Sequence, residues 1–252
     1  MKNNINIFAI VMAAGKGTRI GVTNKPKVML DVFGKPIIEW AIRPIEQLKK
    51  EGEIDRIITV VGFLGNQIID YLHDRCEFVW QKEQLGTAHA VKMAEQSLAN
   101  EDGYTIIVNG DHALYSKQTY KKMIDEAEKK DLTLGFAVVE SDRFNDYGRV
   151  RRDKSGKVKE IVEVPEATDE QRKIREKSIN LYIADNKWLF DILPKIRRSE
   201  VKKEYYLTDI VKIAIDRGVR IEAIKIDDED EAIGINTLED KEKTEEVLRR
   251  RN

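Results

Sequence analysis

Apolar residues along this chain come in two rhythms. Short runs with little polar interruption, "INIFAIVM" (5–12), "IDRIITVVGF" (54–63), "FVWQ" (78–81), "YTIIVNGD" (104–111) and "LTLGFAVV" (132–139), predict buried strands. Between them lie stretches with helical spacing. "IIEWAIRPIEQLKKEG" (37–52) closes at Gly52 with Pro44 as an expected kink; others fall around 65–75, at "TAHAVKMAEQSLA" (87–99) and at 116–130. The alternation predicts parallel βαβ units with helices on both faces of a sheet. Near residue 144 the rhythm changes. "YGRVRRDKSGKVKEIVEV" predicts two strands about a Ser155-Gly156 turn, and "ATDEQRKIREKS" (167–178) a polar helix or loop. "INLYIADNKWLFDIL" predicts a strand then a helix, "YYLTDIVKIAIDRG" a helix, and "VRIEAIKI" a strand. The tail "TLEDKEKTEEVLRRR" is a charged amphipathic helix. Neither an internal repeat nor a low-complexity linker interrupts the chain, so one domain over 1–252 is expected, with halves at about 1–143 and 144–236 and a helix at 237–252.

Charge narrows the partners. The 252 residues hold 44 Lys and Arg against 45 Asp and Glu, a net charge of −1. A general nucleic-acid binder would show a basic excess, so no nucleic acid is expected and any anion must be held by a local cluster. One cysteine, Cys76, allows no internal disulfide and suits a reducing compartment. No run approaches the roughly 20 apolar residues that span a bilayer, and "MKNNINIFAI" makes a poor signal peptide. A cytoplasmic protein without a membrane partner is the expectation.

The local cluster is at the mouth of the first strand. "VMAAGKGTRI" (11–20) sets Gly15 and Gly17 between an apolar run and the cations Lys16, Arg19, Lys25 and Lys27. Glycines bring backbone N–H groups close to an anion, and the cations add charge-assisted bonds to phosphate oxygens. Two common phosphate loops do not match. A P-loop needs G-x-x-x-x-G-K-[ST], and the dinucleotide fingerprint G-x-G-x-x-G fails at Ile20.

The wider stretch "VMAAGKGTRIGVTNKPKVMLDVFGKPIIEW" resembles the signature of the sugar-nucleotidyltransferase superfamily, through Ala14-Gly15-x-Gly17-Thr18-Arg19, Pro26-Lys27 and Gly34-Lys35-Pro36. "QKEQLGTAHAV" (81–91), "NGD" (109–111), "YGRV" (147–150), "IVEVPEATDEQRKIRE" (161–176), "EYYLTDIV" (204–211) and "GIN" (234–236) extend the likeness. Taken in order, they are most similar to the uridylyltransferase domain of the bifunctional N-acetylglucosamine-1-phosphate uridylyltransferase/glucosamine-1-phosphate acetyltransferase family. The resemblance implies a Rossmann-like three-layer α/β/α fold with a mixed, mostly parallel sheet, of nucleotide-diphospho-sugar transferase type. It implies Mg²⁺-dependent transfer of a nucleotidyl group, UMP in that family, from a nucleoside triphosphate to a sugar 1-phosphate. Ala13, Ala14, Gly15 and Gly17 with Gln81, Gln84, Gly86 and Thr87 would bind the nucleotide, Arg19 and Lys27 the triphosphate. Asp111 and Asn236 would hold Mg²⁺; Gly148, Glu163, Asn180, Tyr206 and Thr208 would hold the sugar. No hexapeptide repeat of the family's acetyltransferase half follows residue 236, and a monomer or small homo-oligomer is expected.

Three positions depart from the family pattern. Pro165 stands where a lysine follows the hairpin glutamate. Asn180-Leu181-Tyr182 stands for Asn-x-Gly, and His112-Ala113 for Val or Thr then Pro. His112 is expected to be a polar loop residue, since Mg²⁺ prefers oxygen, while His73 and His89 read as packing or surface residues. Trp40, Trp80 and Trp188 read as core. Gln81 can pair with uracil or thymine alike, so dTTP or CTP with another phosphorylated acceptor stays open, as does a non-catalytic subunit that binds nucleotide or nucleotide sugar.

Overall fold

The computed structural model describes residues 5–201 and 203–251. Its strands are β1 (Ile7–Ala13), β2 (Asp31–Val32), β3 (Lys35–Pro36), β4 (Arg56–Val61), β5 (Glu77–Trp80), β6 (Tyr104–Asn109), β7 (Leu134–Glu140), β8 (Arg149–Arg152), β9 (Val158–Val162), β10 (Glu176–Asp185) and β11 (Ile221–Lys225). The α-helices are α1 (Ile37–Lys50), α2 (Asn66–Leu72), α3 (Thr87–Lys92), α4 (Glu95–Leu98), α5 (Lys117–Lys130), α6 (Asp169–Arg172), α7 (Asn186–Ile192), α8 (Asp209–Asp216) and α9 (Leu238–Arg251). Nine strands form one sheet whose main path is β11-β7-β10-β6-β1-β4-β5, with the β8–β9 hairpin attached to β10. β6, β1, β4 and β5 are parallel neighbours, β11 is parallel to β7, and β10 runs antiparallel between β6 and β7. The α/β class and mixed, mostly parallel sheet expected from the sequence are what form.

Strand periodicity sorts the core into two layers. On β1, Ile7, Ala9, Val11 and Ala13 pack with residues of α1, α2 and α5. Phe8 and Ile10 turn to the opposite face and join residues of α3, α4, α7 and α8. A third apolar group joins Ile20, Val32 and Ile37 to Ala113, Leu114, Ile233, Ile235, and Val247 and Leu248 of α9. Each fully buried Ile or Leu contributes about 1.5–3 kcal/mol. That third group ties the loop after β1, the loop after β6 and the segment before α9 into one unit.

Several local expectations change. The stretch 87–99 divides into α3 and α4, because Met93 N–H and Ala94 N–H bond three residues back, to Ala90 O and Val91 O. Trp80 is 42% exposed, not core; β5 is the end strand of the sheet path, and the indole rests beside Gly65, where a Cβ would meet it at 3.0 Å. Trp40 and Trp188 are partly buried against the core. Of the polar segment 167–178, one turn becomes α6, held by a Thr168–Gln171 capping box, and the rest leads into β10. Among the described residues no helix is long and apolar enough to cross a membrane.

A buried polar knot joins the two halves. Thr105 Oγ1 donates to Asn186 Oδ1 at 2.6 Å, and Asn186 Nδ2 donates to Glu101 O at 2.9 Å and to Leu98 O. Asn186→Ala leaves these buried groups unpaired and should lower unfolding stability by about 2–4 kcal/mol, read by urea denaturation. A loss under about 0.5 kcal/mol would show that the knot does not hold the halves.

Candidate functional site

The parallel strands β6, β1 and β5, the last set apart from β1 by β4, end on the residues that bear chemistry. A cleft of about 880 Å³ opens there, lined by the loop 13–19, Lys27, Gln81 to Gln84, Gly86, Thr87, Asn109, Asp111, Glu163, Asn180, Tyr182, Glu204, Tyr206 to Thr208, and Asn236. This is where open α/β sheets receive ligands. Of the site residues expected from sequence, all but Gly148 line this cleft. Gly148 lies under its wall: a Cβ there would come 2.6 Å from Ile161 Cγ2 and 3.6 Å from Glu163 Oε1.

Gly15 and Gly17 do different things. Gly17 has φ +64°, and a Cβ on it would come 2.5 Å from Lys27 Cβ, so the glycine makes room for the lysine stem. Among the described residues, nothing beyond Gly15 and its chain neighbours comes within 4 Å of such a Cβ on Gly15, which faces open cleft. The N–H groups of Gly15, Lys16 and Gly17 make no hydrogen bond among the described residues, leaving three donors in the loop for an anion.

At the centre, three remote segments meet. Lys27 Nζ donates to Asp111 Oδ2 and, at 2.9 Å, to Asn236 Oδ1. The Lys27 and Asp111 side chains are only 12% and 15% exposed. Arg19 lies outside this pair, donating to the same Asn236 Oδ1 at 2.8 Å and to Asp146 Oδ2 at 3.2 Å. Burial by itself would raise the Asp111 carboxyl; the Lys27 ammonium and the neighbouring His112 outweigh it and hold the group below its usual value. Asp111 Oδ1 is buried with no hydrogen-bond partner among the described residues.

Backbone bonds fix Asn236. Ile235 N–H donates to Asp111 O at 3.0 Å, and Asp240 Oδ2 accepts from Asn236 N–H at 3.0 Å and Thr237 N–H at 2.9 Å. Thr237 caps α9 in return, its Oγ1 accepting from Asp240 N–H at 3.1 Å. Behind them, Tyr147 Oη donates to Ala232 O at 2.7 Å and accepts from Gly234 N–H at 3.0 Å. Asp146, Tyr147 and Asp240 were not among the expected site residues; Tyr147 opened the "YGRV" motif, and the Thr237-x-x-Asp240 spacing carried a readable signal for Asp240.

His112 lies in the loop between β6 and α5 as expected, but it is buried. It is 2% exposed, stacks on Tyr115 at 5.1 Å between ring centroids, and places Nε2 3.9 Å from Asp111 Oδ1. Burial holds its imidazole below the usual range. His89 Nδ1 meets Gln81 Nε2 at 3.0 Å, and that amide also donates to Gly86 O at 3.0 Å. Gln81 Oε1 is left without a hydrogen bond among the described residues. Gly86, φ +108°, lies against Tyr205, whose N and O a Cβ would approach to 2.7 and 2.5 Å. Thr87 Oγ1 accepts from Leu207 N–H at 2.9 Å, clasping the two halves across the cleft.

At the far end Thr208 Oγ1 donates to Glu163 Oε1 at 2.8 Å. Burial, with the charges of Asp209 and Glu166 adding, raises the Glu163 carboxyl. β10 bulges between Ser178 and Tyr182, and Asn180 there has φ +59°. In this part of the strand only Asn180 takes the left-handed conformation that a glycine adopts freely. The Asn-x-Gly pattern therefore registers on Ser178-Ile179-Asn180, not on Asn180-Leu181-Tyr182. Leu181 turns into the layer beneath α5, away from the cleft; Tyr182 lines it.

Two hard oxygens, Asp111 Oδ2 and Asn236 Oδ1, converge on one cationic atom beside the orphaned Oδ1. That donor set fits a magnesium ion, which prefers oxygen. Among the described residues no group of three or more His, Cys, Asp or Glu gathers to hold a metal alone, so water and ligand oxygens would complete the shell.

A family model described as nucleotidyl transferase matches residues 8–231. The chain belongs to that family. This nucleotidyl transferase is 36% identical over 245 residues to the bifunctional protein GlmU of Streptococcus agalactiae serotype V, covering 97% of this chain and 52% of the relative. To the bifunctional protein GlmU of Lactococcus lactis subsp. lactis it is 37% identical over 247 residues, covering 98% and 53%. The chain thus spans about half the length of the curated relatives it matches. The crystal structure of UDP-glucose pyrophosphorylase complexed with UDP-glucose superposes with a TM-score of 0.77 at 22% identity, covering 98% of this chain and 100% of the other, and shares its fold.

Two outcomes follow from this geometry. Gly17→Ala should cost about 1–3 kcal/mol of stability, from the left-handed φ and the displaced Lys27 stem. Gly15→Ala should stay within about 0.5 kcal/mol of the parent; equal costs in urea denaturation would refute the distinction. Burial, with Glu166 adding and Lys212 opposing, pushes the Asp209 carboxyl up to about 6 from 3.8. Between about pH 4 and 6 the folded chain keeps a proton there that the unfolded chain releases, so this group's contribution to stability falls as pH rises. Asp209→Asn should raise the urea midpoint at about pH 7 and leave it unchanged near pH 4; the same gain at both would contradict the assignment.

Proposed function

We propose that this nucleotidyl transferase makes a nucleotide sugar and pyrophosphate from a nucleoside triphosphate, UTP first, and a sugar 1-phosphate, with Mg²⁺. The observation that carries the reading is the convergence of Lys27, Asp111, Asn236 and Arg19 beside a loop with open N–H donors. The sugar-phosphate oxygen is already anionic, so attack on the α-phosphorus needs no general base. A bond forms between that oxygen and the α-phosphorus, the α–β phosphoanhydride bond breaks, and pyrophosphate departs with its electron pair.

What the protein must supply is in-line placement and neutralisation of two polyanions. The N–H groups of Gly15 to Gly17 and the side chains of Lys27 and Arg19 suit the phosphates. A bound Mg²⁺, held by Asp111 and Asn236, would supply further charge neutralisation on the phosphate oxygens. Gln81 Oε1 suits the imide N–H of uracil, its own N–H donors being occupied by Gly86 O and His89. Glu163, Thr208, Asn180 and Tyr206 offer hydrogen-bond partners for sugar hydroxyls.

Cross UTP, dTTP, CTP, ATP and GTP against a panel of sugar 1-phosphates with Mg²⁺ and follow pyrophosphate release. Release with UTP and one sugar phosphate is expected, falling on the order of 10²–10³-fold in Asp111→Ala. Nucleotide binding without release from any pair would replace the reading with a binding subunit.

A further inference from the structure

We propose that the Lys27 ammonium is a tethered stand-in for the divalent cation, holding the two metal ligands together until a nucleoside triphosphate arrives and keeping free metal out in its absence. The inference rests on the metal-dependent reading above and adds an order of events to it.

Lys27 Nζ occupies the meeting point of Asp111 Oδ2 and Asn236 Oδ1, the two oxygens the ion would use. An ammonium so placed completes three requirements at once. It neutralises the enclosed Asp111 charge, satisfies the Asn236 carbonyl, and fixes the distance between the two ligands. The lysine stem is confined by Gly17 and the side chain is nearly enclosed, so the ammonium has no ready solvent refuge. Arg19 is docked likewise, on Asn236 Oδ1 and Asp146. Both cations that suit the phosphates are therefore engaged with carboxylate and amide oxygens in this state.

A divalent ion entering alone must displace Lys27 and then sit beside it, a like-charge contact at a few ångströms with no new anion to offset it. A triphosphate changes that balance. Its oxygens give Lys27 and Arg19 new partners and complete the metal shell, so the ammonium moves to phosphate as the ion takes the two side-chain oxygens. Nucleotide and metal then bind with positive coupling, and Lys27 and free metal are antagonists.

Mn²⁺ serves as the probe, titrated into the full chain while water-proton relaxation reports ion held on the protein. The wild type should take up Mn²⁺ weakly alone and strongly with UTP. Lys27→Met should take it up without nucleotide, on the order of tenfold or more tighter than wild type, and Lys27→Met/Asp111→Asn should lose that gain. Lys27→Gln, with circular dichroism on each variant, gives the same comparison if the methionine variant misfolds. Uptake by wild type with UTP but no nucleotide-free gain in either lysine variant would overturn the stand-in role and leave the metal-dependent reading intact. Mn²⁺ held by none of the proteins, with or without UTP, would overturn both.

Discussion

One ammonium organises this molecule's chemistry. Lys27, Asp111 and Asn236 are separated by as many as 209 residues, yet a single nitrogen joins them. The enclosed carboxylate of Asp111 would be costly without a cation beside it, so the surrounding structure is arranged to deliver one. Gly17 clears a path for the lysine stem. The Ile235–Asp111 backbone bond brings the late asparagine to the end of β6. α9 supplies Asp240 and buries Val247 and Leu248 in the apolar group below. Packing, capping and charge thus converge on the same few cubic ångströms, as they do when a site is built on rigid elements.

The other end of the cleft is built on different physics. Burial raises the carboxyls of Glu163 and Asp209, and the charge of Glu166 pushes both in the same direction. A neutral, hydroxyl-rich ligand suits such walls. The polarity of the cleft therefore runs from cationic at the loop after β1 to acidic at α8.

Much of this was legible in the chain. The unbroken apolar run from Ile7 to Ala13 marked a buried strand, the alternation of strands with helices a doubly covered sheet, and the glycine-rich cationic loop with Lys27, Asp111 and Asn236 the cleft. What escaped depended on tertiary partners. His112 is the loop residue its sequence suggests, but no local pattern announces that Tyr115 and Tyr147 enclose it. Met93 and Ala94 have no breaker chemistry, so the division between α3 and α4 left no mark. The bulge in β10 was misregistered by two residues because the motif was matched by its asparagine. Backbone conformation identifies it by the left-handed position instead, and that falls on Asn180. Asp146 earns its place only through Arg19, 127 residues away.

The placement of β10 has a further consequence, for the order in which the chain can fold. β6 and β7 follow one another in sequence with only α5 between, yet they do not pair; β10, made some forty residues later, separates them. During synthesis β5, β4, β1 and β6 can assemble as soon as they emerge. β7 and β11 must wait for β10, because β7 reaches the rest of the sheet only through it. The end of the cleft lined by Glu163, Asn180 and Thr208 is thus a late-closing seam, and the glycine-rich loop after β1 is anchored on strands that need no later partner to pair.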